Sequence, residues 1–309
     1  MKILITGGAG FLGTHLVKYW VTKGHQVTVL NTKSKRSTGF ASEFHSDVEV
    51  KWGTVEDYNT VKNNVKGKDL IVHLAAKVNV DQSVVSPRDY FATNLDGTIN
   101  VLEAARNFGV KVLYESSREV YGDMPSSPVS EGTELKPKSP YALSKASADR
   151  ICYGYHTSYG LEVMILRSCN VYGANQRAGK LGAFIPRLVE QALGGGELTI
   201  YGSGNQKREY IHVSDLVRAH DLIINKGKFL GETINIGTNQ YHSVKKIAEK
   251  ISNRLSSQIL NVQSRQGEIP GFVLDSNLVR SMGFVPRVDF WKGLDDYIDY
   301  CISIGKEFK

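Results

Sequence analysis

The strongest constraint on this chain is a glycine-rich turn set directly after its first apolar run. Lys2 to Thr6 is a short β-branched stretch, Gly7-Gly8-Ala9-Gly10-Phe11-Leu12-Gly13 follows, and Phe11 to Lys23 has the apolar spacing of a helix. Strand, glycine turn and helix in that order leave the helix N-terminal N–H groups facing a pyrophosphate. Gly8, Gly10 and Gly13 satisfy G-x-G-x-x-G, and Gly7, Gly10 and Gly13 satisfy the wider G-x-x-G-x-x-G. The spacing alone is weak, and the flanking strand and helix give it weight. Gly7, Gly10, Phe11, Leu12 and Gly13 are therefore assigned to a dinucleotide cofactor.

The rest of the first half alternates in the same way. Strand patterns lie at Gln26 to Leu30, Val48 to Trp52, Asp69 to His73, Val110 to Glu115 and Leu161 to Leu166, with helical patterns at Thr93 to Phe108 and Tyr141 to Tyr159. This predicts an α/β fold, a Rossmann-type doubly wound parallel sheet, followed by a smaller α/β C-terminal substrate lobe. After about Arg167 the pattern turns irregular, with only short helices such as Ile185 to Leu193 and Val244 to Leu255. The expected division is residues 1–168 for the dinucleotide and 169–309 for the substrate, with chain crossings back to the first domain.

Composition excludes several other classes. No segment approaches the roughly 18 apolar residues of a membrane span, and the apolar run Ile3-Leu4-Ile5 breaks too early for a signal peptide. Cys152, Cys169 and Cys301 are odd in number, far apart and without ligand spacing, which points to reduced thiols in the cytoplasm and to no metal. The net charge of +7 would suit an anionic small substrate. The densest basic cluster, Lys33-Ser34-Lys35-Arg36, has no interleaved aromatics, so nucleic acid is not the expected partner.

An acidic residue usually ends the second strand of such a fold and bonds the adenosine ribose, but Asn31 stands there. Asparagine does not repel a 2′-phosphate, and Lys33 and Arg36 follow closely. NAD is the expected cofactor, with NADP as the alternative.

Tyr141 and Lys145 fall at i and i+4, on one face of a helix that starts after Pro140. A phenol has an ordinary pKa of about 10, so it serves as a base near neutrality only beside positive charge. Lys145 would supply that charge. Ser117, at the end of an upstream strand, would share the substrate proton. Tyr19/Lys23, Tyr58/Lys62 and Tyr241/Lys245 repeat the spacing but lack this context.

With these residues in place the chain resembles the extended short-chain dehydrogenase/reductases of the nucleotide-sugar epimerase/dehydratase group. The resemblance is carried by Thr6 to Gly13, His73-Leu74-Ala75-Ala76, Asn94 to Thr98, Ser116 to Gly122, Tyr141 to Lys145, Asn170 to Gly173 and Gln206 to Asp215. It implies that Ser117, Tyr141 and Lys145 are catalytic and that Leu74, Ala75, Ala76 and Asn94 line the cofactor site. Thr54 replaces the usual aspartate near adenine, with Val55 beside it. The resemblance assigns Asn170, Arg187, Arg208, Arg265 and Glu268 to a nucleotide-sugar substrate, and a homodimer paired through the helices Thr93 to Phe108 and Tyr141 to Tyr159.

One departure bears on the reaction. In 4,6-dehydratases of this group an Asp and a Glu follow the catalytic hydroxyl, whereas here Arg118 and Glu119 follow Ser117. Arginine does not donate a proton usefully at neutral pH. The sequence reads best as a 4-epimerase acting on a UDP-hexose. The alternatives are a dehydratase or decarboxylase using Glu119 and, more remotely, a non-catalytic dinucleotide-binding protein.

Overall fold

The chain divides into two units in the computed structural model, which describes residues 1–124, 127–176, 178, 179, 182–263 and 271–305. The first unit comprises Met1–Gly122, Glu134–Ser168 and Val217–Asn235, and the second Asp123–Thr133, Cys169–Leu216 and Ile236–Lys309. The chain thus crosses between them on either side of a cut after Ser168.

In chain order the first elements are β1 (Lys2–Thr6), α1 (Phe11–Thr22), β2 (Gln26–Asn31), α2 (Lys35–Ser42), β3 (Glu49–Trp52), α3 (Tyr58–Val65) and β4 (Leu70–His73). Next come α4 (Val80–Val85), α5 (Pro87–Phe91), a π-helical turn at Ala92–Asp96, α6 (Gly97–Phe108), β5 (Lys111–Glu115) and a 3-10 turn at Arg118–Tyr121. Then follow α7 (Pro140–Tyr159), β6 (Val163–Ser168), β7 (Asn170–Tyr172), α8 (Phe184–Leu193), β8 (Leu198–Tyr201) and β9 (Lys207–His212). The chain continues through α9 (Val213–Lys226), β10 (Leu230–Ile236), β11 (Tyr241–Ser243), α10 (Val244–Leu255), β12 (Ile259–Val262), α11 (Asn277–Ser281) and α12 (Phe290–Ile304).

The first unit is built on a seven-stranded sheet of order β10-β6-β5-β4-β1-β2-β3, parallel from β6 through β3. This is the expected Rossmann-type α/β fold. Its central strands are buried on both faces, which is why Ile3-Leu4-Ile5 and Leu70-Ile71-Val72 read as unbroken apolar runs. Strand order reverses between β1 and β4, and ligands of open α/β sheets bind at the carboxyl ends of strands flanking such a switch point.

Local signals fix the helix that carries Tyr141 and Lys145. Ser139 caps α7 by accepting the Ala142 N–H at 3.1 Å, Pro140 occupies the first turn, and Gly160 ends the helix in the left-handed region at φ 68°. The helix expected over Thr93 to Phe108 differs at its start, because residues 92–96 form the π-helical turn. One wide turn barely alters the apolar spacing, so the sequence pattern passes over it.

The second unit holds a three-stranded sheet, β11-β9-β7, and a two-stranded one, β12-β8. Its core gathers Tyr172, Tyr210, Ile247, Leu294 and Ile298, with Phe290 stacked 4.0 Å from the His242 ring. Among the described residues no helix is long and apolar enough to cross a membrane.

Candidate active site

The glycine turn is shaped by close backbone packing. Gly7 has φ +74°, and a Cβ there would lie 2.8 Å from the Ala75 nitrogen, so the turns after β1 and β4 meet with no room for a side chain. A Cβ on Gly13 would fall 2.5 Å from the Gly7 carbonyl oxygen and 2.6 Å from Gly8 Cα. Gly10 N–H donates to Gly7 O at 2.9 Å, and Gly10 then starts α1 with no side-chain cap and no acidic residue in the first turn. The opening N–H groups of α1 are thus left for an anion, as a pyrophosphate cradle requires.

Buried polar groups hold the turn after β4. His73 is fully enclosed, with Nδ1 2.6 Å from Thr6 Oγ1 and Nε2 3.0 Å from Thr98 Oγ1. Burial, helped by the Lys145 charge, drives its imidazole down to about 3, so the ring is neutral. Asn94, on the π-helical turn, accepts the Lys77 N–H at 2.8 Å and donates to Lys77 O at 3.0 Å and Ser144 Oγ at 2.9 Å. One side chain thereby fastens the loop that leaves Leu74-Ala75-Ala76 to the helix of Tyr141 and Lys145. Wide helical turns of this kind are frequent at functional sites.

Ser117, Tyr141 and Lys145 come together around the ends of β5 and α7. Ser117 opens the 3-10 turn, accepts the Glu119 N–H at 3.2 Å and hydrogen-bonds Tyr141. Tyr141 is 8% exposed, and burial pushes its phenol up to about 12, with the Ser117 bond pulling it down and the Glu119 and Glu115 charges pushing it up. Lys145 is 4% exposed. Its Nζ donates to Glu115 O at 2.6 Å and lies 4.3 Å from the centre of the Tyr114 ring, while burial lowers it to about 8. A half-buried serine hydroxyl and a buried phenol beside an amine of lowered proton affinity are suited to moving a proton on and off a substrate alcohol.

Residues 3–237 match the profile of the NAD dependent epimerase/dehydratase family. The chain belongs to that family. A UDP-N-acetyl-alpha-D-glucosaminuronate decarboxylase from Bacillus cytotoxicus is 33% identical over 321 residues, covering 99% of each chain. The dTDP-glucose 4,6-dehydratase DesIV from Streptomyces venezuelae, solved with NAD bound, superposes with a TM-score of 0.92 at 31% identity over 100% of both chains. The UDP-glucose 4-epimerase of Thermotoga maritima, solved with UDP-glucose, gives 0.92 at 28% identity over 98% of this chain and 99% of its own.

The protein is an NAD-dependent epimerase/dehydratase family enzyme, and its glycine turn fits the cofactor. Asn31 Oδ1 accepts the Ala9 N–H at 3.1 Å, so the residue at the end of β2 braces the turn. Lys33 is exposed, and the Arg36 guanidinium lies 5.1 Å from the Phe40 ring centre. Thr54 Oγ1 accepts the Glu56 N–H at 3.2 Å, whereas Val55 is buried against Gly97 in the core. Phe11, Leu12, Leu74, Ala75 and Ala76 are all half-buried.

The expected substrate residues lie in the second unit. Asn170 Nδ2 donates to Glu209 O at 2.9 Å, tying β7 to β9, and Arg208 follows Lys207, whose carbonyl it bonds at 2.9 Å. The Arg187 guanidinium lies 6.0 Å from the Phe184 ring centre and 5.7 Å from that of Tyr201. Arg265 and Glu268 lie outside the described residues.

Sequence reading passed over the support behind the serine. Asp149 is wholly buried, takes two bonds from Arg167 at 2.9 and 2.8 Å, and accepts Ser116 Oγ at 2.8 Å. Arg167 also donates to Tyr121 OH at 2.9 Å, which donates to Asn235 at 2.7 Å. A carboxylate one turn beyond Lys145 on the same helix face was the available signal.

Proposed function

We propose that this family member is a nucleotide-sugar 4-epimerase acting on a UDP-linked hexose. The observation that carries the reading is Arg118, 5% exposed and next to Ser117, where an eliminating enzyme of this group would place an acid. A buried guanidinium gives no proton at neutral pH, whereas oxidation and reduction at one carbon need only the Ser117, Tyr141 and Lys145 set.

Gly7, Gly10, Gly13, the turn at Leu74 to Ala76 and Asn94 would hold NAD, which would supply reversible hydride acceptance at the sugar C4. Tyr141 takes the proton of the 4-hydroxyl while Ser117 hydrogen-bonds the same oxygen. Lys145 steadies the phenolate by its charge. The 4-keto sugar then turns over so that the hydride would return to the opposite face of C4, and Tyr141 gives the proton back to the same oxygen. Asn170, Arg187, Arg208 and Arg265 are assigned to the nucleotide diphosphate, since guanidinium groups suit phosphate oxygens, and Glu268 to the nucleotide ribose. The reading includes a homodimer, paired through α6 and α7, and a cytoplasmic setting supported by three buried cysteine thiols.

A second reading has one observation in its favour. Glu119 lies on the 3-10 turn with its N–H bonded to Ser117 Oγ at 3.2 Å, and in this reading its carboxylate serves the loss of water or carbon dioxide. Incubating the enzyme with UDP-, dTDP-, GDP- and CDP-sugars and following the sugar protons by NMR separates the two. Inversion at C4 supports the epimerase, and a deoxy-keto or decarboxylated product would replace it with the Glu119 chemistry.

A further inference from the structure

Glu115 ends β5 immediately before Ser116 and Ser117, in a strand whose preceding residues Val112 to Tyr114 are buried. Its backbone oxygen accepts Lys145 Nζ at 2.6 Å. Its carboxylate, 13% exposed, is held by β6, where Oε1 accepts Ser168 Oγ at 2.5 Å, and Oε2 lies 2.9 Å from Nε2 of the wholly buried His220 of α9. A carboxylate so placed is a fixed local charge, because few waters reach it to screen it.

We propose that Glu115 is a positioning residue whose carboxylate, held by Ser168 beside His220, supplies the negative charge that keeps the Lys145 ammonium in place beside Tyr141. The inference rests on reading Tyr141 and Lys145 as the reacting pair. It concerns only their charge state and not which sugar is bound.

The neighbours of Lys145 leave this task to Glu115. On α7 itself Asp149 is negative, but two arginines, Arg167 and Arg150, bond its oxygens. Cys152 on the same helix is a buried thiol pushed well above its ordinary range by burial, and so is uncharged at neutral pH. His73 of β4 is neutral, Tyr114 of β5 is a buried phenol with its proton affinity raised by burial, and Tyr141 faces the same space. Among the charges that act to keep Lys145 protonated against burial, that of Glu115 is the largest. The same charge opposes ionisation of Tyr141, as does that of Glu119 on the 3-10 turn. Glu115 thus holds both groups of the pair in their protonated forms until a cationic cofactor or substrate chemistry shifts the balance.

The test is the titration of Lys145 in the cofactor-loaded enzyme by NMR of isotope-labelled lysine side chains, with Lys145→Met identifying the signal. Glu115→Gln should lower the pH at which Lys145 loses its proton by about one unit, the size expected for removing one nearby charge. Glu115→Ser, neutral and smaller, should give the same fall, and stands in if Glu115→Gln does not fold. Glu115→Asp should restore the original titration although its shorter arm changes the contacts to Ser168 and His220. In the same variants the alkaline limb of kcat against pH should move down by the same amount with KM unchanged. An unchanged Lys145 titration in both neutral variants would overturn the proposal, as would an equal fall in Glu115→Asp. Absence of epimerase turnover in the wild type would defeat the functional reading instead, because the titration needs no substrate.

Discussion

Asn94 Nδ2 donates to Ser144 Oγ at 2.9 Å, joining the π-helical turn before α6 to the residue that precedes Lys145. The same amide pairs in both directions with the backbone of Lys77. Asn94→Ala would leave buried donors and acceptors without partners, at a cost of about 1–3 kcal/mol for the principal group. Urea unfolding should report a loss of that size, together with weaker NAD retention measured after desalting. Unchanged stability would show that the amide does not bind the two segments together.

Gly13→Ala tests the cradle. The added methyl meets the Gly7 carbonyl and Gly8 Cα at 2.5 and 2.6 Å, and because these are backbone atoms the turn itself must shift. The variant should lose NAD binding by calorimetry while its far-ultraviolet circular dichroism stays close to wild type. Gly24→Ala offers the contrast, for a Cβ there meets nothing, although its φ of +77° carries strain of its own. Gly24→Ala should keep the cofactor.

His73 makes stability depend on pH in a definite direction. Its folded value of about 3 lies below the ordinary 6.5, so the neutral ring contributes stability that is fully present above about 6.5 and drains away as pH falls toward 3. Across that window the slope attributable to this group is about 1.4 kcal/mol per pH unit. Urea melts of the wild type and His73→Gln between about pH 6 and pH 4 should therefore converge as pH falls. Parallel curves would show that the imidazole does not stay neutral in the fold.

Asp149→Asn should be more damaging than any surface change nearby. It removes the charge that faces Arg167, a guanidinium only 1% exposed, and breaking one side of such a buried pair costs about 3–5 kcal/mol. Arg150, whose side chain is 52% exposed, bonds the same carboxylate, and Arg150→Ala should cost under about 1 kcal/mol. Equal losses in the two variants by urea unfolding would contradict the distinction.

The features legible in the chain were those written in local spacing. Gly7, Gly10 and Gly13, and the α7 start at Ser139-Pro140, follow from rules that span a few residues. Tyr141 and Lys145 were found because one helical turn joins them. The strands of the parallel sheet were legible because burial on both faces leaves unbroken apolar runs. What escaped was set by partners distant in sequence: Glu115 to His220 across 105 positions, Tyr121 to Asn235 across 114 and Thr6 to His73 across 67. The π-helical turn escaped for a different reason, since it leaves the helical pattern intact. Asn31 stands at the place of the usual ribose ligand, and its bond to Ala9 N–H depends on the folded turn and not on local spacing.

The most direct test of the proposed chemistry is the turnover of Tyr141→Phe on a UDP-hexose that the wild type epimerises. Phenylalanine keeps the ring and its edge contact with Tyr90, 6.4 Å between centroids, and removes only the hydroxyl that moves the proton. The expected result is a fall in kcat of about 10²–10⁴ with KM little changed, as loss of a general acid–base group gives. Full turnover by Tyr141→Phe would contradict the assignment of Tyr141 and the mechanism built on it.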